Sequence, residues 1–374
     1  MSLFDHTHVR LAAVAVATLL AMGIIWISMR EPSSSGASSA ATRAAQGVTA
    51  PPRELGAPPA AAQRATTTRS NSPSSPRRDT RPAALRRADV FAGNGAWIDI
   101  FDDWTRPAEF TRNLANKGVH TLYVQTSNSS QPYTIYRPEL MGRMLEEAHD
   151  RGIRVVAWYL PELRILSQDI ERSIAATKFR SPRGDQFDGF AMDIESQAVP
   201  NITTRVKRLV RLSYRVRGAI GADYPFAAIV PPPSKGTDNP RAGWTTFPWK
   251  QLAPVYDAWM PMSFFVLADP GTPATRAERV RNNFVADVQH IRRRTQGAPQ
   301  RPVHIIAETA AEAGRSELRG FTAAVKATKA TGASVYDAQT SSRADWRAVR
   351  SLRLAPQQPA DAAPAWNESA PSAR

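Results

Sequence analysis

Eight short apolar runs, separated by longer segments with charge on one face, predict an α/β fold, a (β/α)8 TIM barrel over residues 91–355. Two further observations frame it. The uncharged run from Leu11 to Met29 predicts a transmembrane segment, and residues 30–90, which hold no aromatic side chain, predict a disordered stalk between that segment and the barrel.

Residues 1–10 form a short N-terminal flank. At 1.5 Å per residue the run 11–29 covers about 28 Å as a helix, close to the thickness of a bilayer's hydrocarbon core. Arg30 and Glu31 follow it directly, and the first small-residue stretch, "ASSA", comes only at 37–40. A cleaved signal has a shorter apolar region and a small-residue site just behind it, so an uncleaved anchor is expected. Arg10 flanks one side and Arg30 and Arg43 the other, which leaves the charge rule a weak guide to topology. The expected arrangement is single-pass in the cell membrane, with the barrel outside the cytoplasm. The stalk is Ala, Pro, Ser, Thr, Arg and Gly, too poor in apolar surface to offset its ordering entropy. About sixty residues of coil reach on the order of 45 Å. The tail, residues 356–374, has the same composition.

Within the barrel the strand-like runs are "AWIDIF" (96–101), "TLYVQTS" (121–127), "IRVVAWYL" (153–160), "GFAMDIE" (189–195), "FAAIVPP" (226–232), "DAWMPMSFF" (257–265), "VHIIAET" (303–309) and "SVYDAQT" (334–340). Amphipathic segments such as "RPELMGRMLEEAHDRG" lie between them. Gly118, Gly152 and Gly332 stand just before strands, where a helix ends most easily in a residue tolerant of positive φ. An open doubly wound sheet is the alternative, but no glycine-rich phosphate loop follows the first strand.

The chain has no cysteine, which excludes disulfides, thiolate metal sites and cysteine nucleophiles. Its formal net charge is +15, and residues 30–90 contribute ten arginines against four carboxylates. A solvated basic surface is the plain reading; association with an anionic wall polymer or lipid is the functional one. No nucleic-acid-binding spacing is present, so no nucleic acid is expected. The six histidines share no ligand spacing, so neither a metal nor a cofactor is expected.

A barrel of this kind works at the carboxyl ends of its strands. Those ends carry Asp99, Gln125, Trp158, Tyr159, Asp193, Glu195, Trp259, Ser263, Glu308, Asp337 and Gln339. Carboxylates, amides and aromatic rings together suit a sugar. Two of the acids stand out. Period-two alternation puts Gly189, Ala191, Asp193 and Glu195 on one face of strand four and Asp188 on the other. The Cα atoms of Asp193 and Glu195 would lie about 6.6 Å apart. Two carboxylates so close resist joint ionisation; with Asp193 as its charge partner, Glu195 is expected to have the raised pKa that suits a general acid. Asp99, Gln125, Trp158, Tyr159, Trp259, Ser263, Asp337 and Gln339 are candidate substrate-binding residues. Asp188 is expected to pair locally.

"DGFAMDIE" resembles the Asp-Gly-x-Asp-x-Asp-x-Glu signature of family 18 glycoside hydrolases, with Asp188, Gly189, Asp193 and Glu195 in place. The resemblance implies Glu195 as general acid and Asp193 as the residue that orients a substrate N-acetyl group. Ala191 replaces the middle Asp, and Phe264 and Phe265 stand where that family has Tyr and Asp after Met262. "DIE" is also similar to strand four of family 25 lysozymes, and the combination with "YDAWMPMSFF" resembles bacterial barrel domains akin to glycoside hydrolases. Glu195 with Glu308 is a second candidate pair, in the strand-four and strand-seven arrangement of many retaining barrel glycosidases. The resulting expectation is a membrane-anchored hydrolase acting on a cell-envelope polysaccharide. The alternative is a non-catalytic carbohydrate-binding or scaffold protein on the same barrel.

Overall fold

Strands that are apolar on both faces must be covered on both faces, and parallel strands wrapped by helices achieve this. In the computed structural model the eight runs form β1 Gly93–Ile98, β2 Thr121–Asn128, β3 Arg154–Leu160, β4 Gly189–Asp193, β5 Phe226–Val230, β6 Ala258–Pro261, β7 His304–Glu308 and β8 Gly332–Tyr336. The structure describes residues 83–128, 131–233, 244–263, 272–295, 301–308 and 314–354. The expected anchor, most of the stalk, Phe264, Phe265 and the tail lie outside the described residues. No helix among the described residues is long and apolar enough to cross a membrane.

The strands are all parallel, in the order β6-β5-β4-β3-β2-β1-β8-β7. Parallel bridges from Trp259 to Val303 and from Met262 to Ile306 join β6 to β7 and close the barrel. The helices are α1 Ala83–Ala88, α2 Pro107–Asn116, α3 Pro138–His149, α4 Leu166–Lys178, α5 Ile202–Ile220, α6 Trp249–Leu252, α7 Pro273–Arg294, α8 Arg315–Thr328 and α9 Arg343–Ser351. Several starts are legible locally. Asn201 caps α5 by accepting from the Thr204 N–H, and Ser342 with Asp345 forms a capping box on α9. Gly118 and Gly152 take positive φ after α2 and α3, as expected. Gly332 does not; it opens β8, and Lys329 takes the left-handed position after α8.

Two cores result. Residues such as Leu122, Val155, Phe190 and Phe226 pack between sheet and helices, whereas Trp97, Tyr123, Val156, Trp158, Ala191, Ala227, Ile229, Met260 and Ile306 fill the barrel. Trp97 stacks on Tyr123 at 4.1 Å and donates to the Ser334 hydroxyl at 2.7 Å. His304 belongs to the same interior. Its ring nitrogens lie 2.8 Å from the Phe91 carbonyl and 2.8 Å from the Ser334 hydroxyl, and burial pushes its pKa down to about 4.

The amino end of the barrel is closed by residues that the sequence reading placed at the end of the stalk. α1 and the 3-10 turn Asp89–Phe91 lie across the strand starts, with Ala88 and Phe91 buried in the inner core. Arg154 donates to the Asp89 and Ala92 carbonyls, and Thr121 to that of Val90. Asp257, 2% exposed, sits between Arg87 at 2.8 Å and Arg217 at 2.8 Å and also accepts from the Phe226 N–H. Gly332 is required here, because any side chain would run into the Phe91 carbonyl and the His304 ring.

Candidate active site

The inward parity of each strand carries a definite set of groups to the carboxyl end. β3 presents Trp158, whose indole N–H donates to the Ile98 carbonyl at 3.2 Å and whose ring meets Trp97 edge-on at 6.1 Å. It floors the mouth. Gln125 on β2 is buried, and its amide oxygen accepts from the Ile100 N–H at 3.1 Å, holding the loop after β1. β7 brings Glu308, half-buried, on the same parity as Ile306 and in register with Tyr336.

β4 brings Asp193, above Ala191 in the barrel interior, and Glu195 just beyond it. Asp193 is 6% exposed, and its Oδ1 has no hydrogen-bond partner among the described residues. Glu195 is half-buried. Burial raises the pKa of both, and the neighbouring Glu195 charge raises Asp193 further, well above the usual carboxylate range. The sequence reading attributed a raised Glu195 pKa to the charge of Asp193. Burial is the cause for Glu195, and Asp193, the deeper group, holds its proton more tightly. The two titrate as one unit.

A second acidic group gathers between β1 and β8. Asp99 accepts from the Phe101 N–H at 2.7 Å and from the Tyr336 hydroxyl at 2.7 Å, and its own N–H donates to Asp102 at 2.8 Å. Burial raises the Asp99 pKa, and the Asp337 charge adds to this against the hydrogen bond from Tyr336. Asp102 is pushed up to about 8 by burial and by the charges of Asp99 and Asp337. Asp337 accepts from the N–H groups of Gln339 at 2.8 Å and Thr340 at 2.9 Å, shaping the loop on which Gln339 is exposed. Tyr336 was not anticipated, although Ser334 and Tyr336 share a parity in the sequence.

Three expected binding residues face away from the mouth. Tyr159 points into the outer core, where its hydroxyl donates to Asp169 of α4 at 2.7 Å. Trp259 lies in the same layer, 5.2 Å from Trp249 and 5.6 Å from Tyr256. Ser263 donates to Asp287 of α7 at 2.7 Å. Each is one residue out of step with an inward neighbour, Trp158, Met260 or Met262, so strand alternation places it against the helices.

Asp188 pairs locally, as expected from its face. It accepts from the Val155 N–H at 2.7 Å and lies 3.1 Å from His149 Nε2, while Asp185 lies 3.4 Å from Nδ1. Burial lowers the His149 pKa, but the hydrogen bonds and charges of Asp188 and Asp185 outweigh it, and the net shift is upward. Stability from this contact is therefore present in full below the unfolded value of about 6.5 and is lost as pH rises through the higher folded value. Melting temperature followed from pH 5 to 8 should fall more steeply for wild type than for His149→Gln. Identical slopes would remove His149 as the cause.

No protein-family model matches the chain, and no curated protein matches it. Solved structures do. The endo-β-1,4-mannanase from Thermotoga petrophila superposes with a TM-score of 0.53 at 10% identity, covering 70% of this chain and 76% of that one. The spore cortex-lytic enzyme SleL of Bacillus cereus superposes with a TM-score of 0.50 at 11% identity, covering 70% and 74%. The chain shares the (β/α)8 fold of these enzymes. At such identities the likeness is one of fold.

Proposed function

We propose that the protein is a glycoside hydrolase of the cell envelope, with Glu195 and Asp193 as the working pair. The observation that carries this reading is the pair itself: Asp193, buried, and Glu195, half-buried, on one face at the carboxyl end of β4, both with raised pKa. Such a pair retains a proton near neutral pH. The pair shares that proton, which passes from Asp193 to Glu195, the more exposed member, and from there to the glycosidic oxygen as the C–O bond breaks. The pair's negative charge stabilises the developing oxocarbenium ion, and a water molecule adds to that carbon, forming the new C–O bond and returning a proton to the pair. Trp158 lies beneath the sugar, and the Asp99 and Tyr336 group borders it. The direct test incubates the protein with a panel of envelope glycans and measures new reducing ends. A panel left intact sinks the hydrolase reading.

One observation favours the non-catalytic alternative. Ala191, beneath Asp193, offers no polar side-chain atom, and Asp193 Oδ1 stays unpartnered among the described residues. A barrel that binds glycans and cleaves none would fit that vacancy.

The proposal includes the anchor at 11–29 and a barrel held outside the cytoplasm, supported by the uncharged run and the stalk composition. Protease added to intact cells should cut between residues 31 and 82 and release the barrel. A shortened chain in untreated medium would instead mean that the apolar segment is cleaved as a signal.

A further inference from the structure

Three guanidinium groups gather around one buried carboxylate at the amino end of the barrel. Both oxygens of Asp257 are occupied. Its Oδ1 accepts from Arg87 Nε at 3.0 Å, and its Oδ2 from Arg217 at 2.8 Å and from the Phe226 N–H at 3.0 Å. Arg301 is the third cation. A parallel bridge joins Trp259 to Val303, and the Trp259 N–H donates to the Pro302 carbonyl at 3.0 Å. Asp257 and Arg301 each lie two residues ahead of a bridge partner, so the two strand starts bring them side by side. Burial lowers the Arg301 pKa; of the charges that reach it, Asp257 raises it and Arg87 and Arg217 lower it.

Arg301 is 9% exposed, and its Nε–H has no acceptor among the described residues. A donor kept dry and unpartnered costs stability unless something arrives to accept from it. Residues 296–300, which precede it, are Gln, Gly, Ala, Pro and Gln and bring no charge. The other two cations leave one more donor. Arg217 gives all three nitrogens, to Asp257 and to the Val255, Gly221 and Tyr224 carbonyls. Arg87 gives Nε and Nη2 to Asp257, and its Nη1 meets Asp223 at 4.0 Å, a fully exposed carboxylate that water screens. Three guanidinium charges therefore face one buried carboxylate, an excess of two.

We propose that Arg301 and Arg87 form a binding site for a phosphate group, taken as the free ion or as a phosphomonoester. A phosphate dianion matches the excess charge, and its tetrahedral oxygens can meet donors arriving from α1 and from the start of β7 at once. A carboxylate brings half that charge. The bound anion accepts from the Arg301 Nε–H and from Arg87 Nη1 and displaces Asp223. It thereby ties α1, which closes this end of the barrel, to β7, and occupancy stabilises the closure. The site lies at the end opposite the mouth and is independent of the glycan reading.

The experiment is calorimetric titration of full-length protein in detergent at about pH 7.5, where phosphate is mostly a dianion, and at fixed ionic strength. Inorganic phosphate is the ligand in one arm and glycerol 3-phosphate in the other. Wild type should bind at least one of them saturably, and its melting temperature should rise with ligand concentration. Tighter binding of glycerol 3-phosphate assigns the site to a phosphomonoester; tighter binding of inorganic phosphate assigns it to the free ion. Acetate at the same ionic strength should neither bind nor stabilise. Arg301→Gln should weaken phosphate binding by about tenfold or more, as expected for a charge-assisted contact. Asp223→Asn removes the competing carboxylate and should tighten binding by about two- to fivefold. Arg143→Gln, exposed on α3, should leave it unchanged. No saturable binding of either phosphate, equal binding of acetate, or an Arg301→Gln affinity equal to wild type overturns the inference. If Arg301→Gln fails to fold, an unchanged affinity in Asp223→Asn overturns it instead.

Discussion

Replacing Glu195 by Gln should lower turnover by about 10²–10⁴-fold, the usual contribution of a general acid, while glycan binding survives. Gln keeps the shape and hydrogen-bonding reach of Glu but has no proton to give. The pH profile sharpens the test. Wild-type activity should fall as pH rises through the pair's upper pKa, because the pair must hold a proton to act. Asp193→Asn keeps a neutral group at the deeper position and removes the second titrating site. Glu195 then loses its coupled neighbour, so the alkaline limb should move to lower pH and turnover should drop. Asp188→Asn, which faces His149 and β3, should act on stability instead. If Glu308→Gln abolishes turnover and Asp193→Asn leaves it intact, the two-glutamate arrangement replaces the pair on β4. If wild type and Glu195→Gln cleave at the same rate, Glu195 is not the acid.

The largest expected stability loss lies at the opposite end of the barrel. Asp257→Ala removes the buried carboxylate shared by Arg87, Arg217 and the Phe226 N–H, leaving Arg217 only the Val255, Gly221 and Tyr224 carbonyls and Arg87 a 4.0 Å contact with the exposed Asp223. Removing one partner of a buried ion pair costs about 3–5 kcal/mol. Arg87 and Arg217 are 20% and 16% exposed, so water relieves part of this and the lower figure applies. At roughly 2–4 °C per kcal/mol for a domain of this size, about 3 kcal/mol lowers the melting temperature by about 6–12 °C. A chain beginning at Asp89 should show a smaller loss, since it lacks Arg87 and Ala88 but keeps Arg217. One beginning at Pro82 should melt as the full chain does. Melting of Asp257→Ala within about 2 °C of wild type would show that the charge cluster does not hold this end closed.

The eight strands were legible because a strand covered on both faces must read as a short apolar run, and turn residues bound each run. β1 and β8 began earlier than expected. Gly93, Asn94 and Gly95 look like loop in sequence, yet β1 must admit Tyr123 and His304 beside Gly95. The closing segment 83–91 was not legible. Its alanines and arginines continue the stalk's composition, and only Val90 and Phe91 mark it as something that packs. At the mouth the sequence singled out the β4 pair because acid in an apolar strand is conspicuous. It misassigned Tyr159, Trp259 and Ser263 because residue type was weighed before parity. Alternation alone separates Trp158 from Tyr159 and Met260 from Trp259. The cause of the raised pKa was not legible either, since burial belongs to the folded barrel.

The chain enters the barrel at the end opposite its mouth. α1 and the turn Asp89–Phe91 are fastened to the strand starts by Arg87, Arg154 and Thr121. A fusion partner, affinity handle or solid support joined ahead of residue 83 therefore attaches at the rear. Immobilised through that point, the protein offers its acidic opening to the bulk solution, and substrates too long or too insoluble to diffuse can be brought to a surface-bound layer and threaded past it.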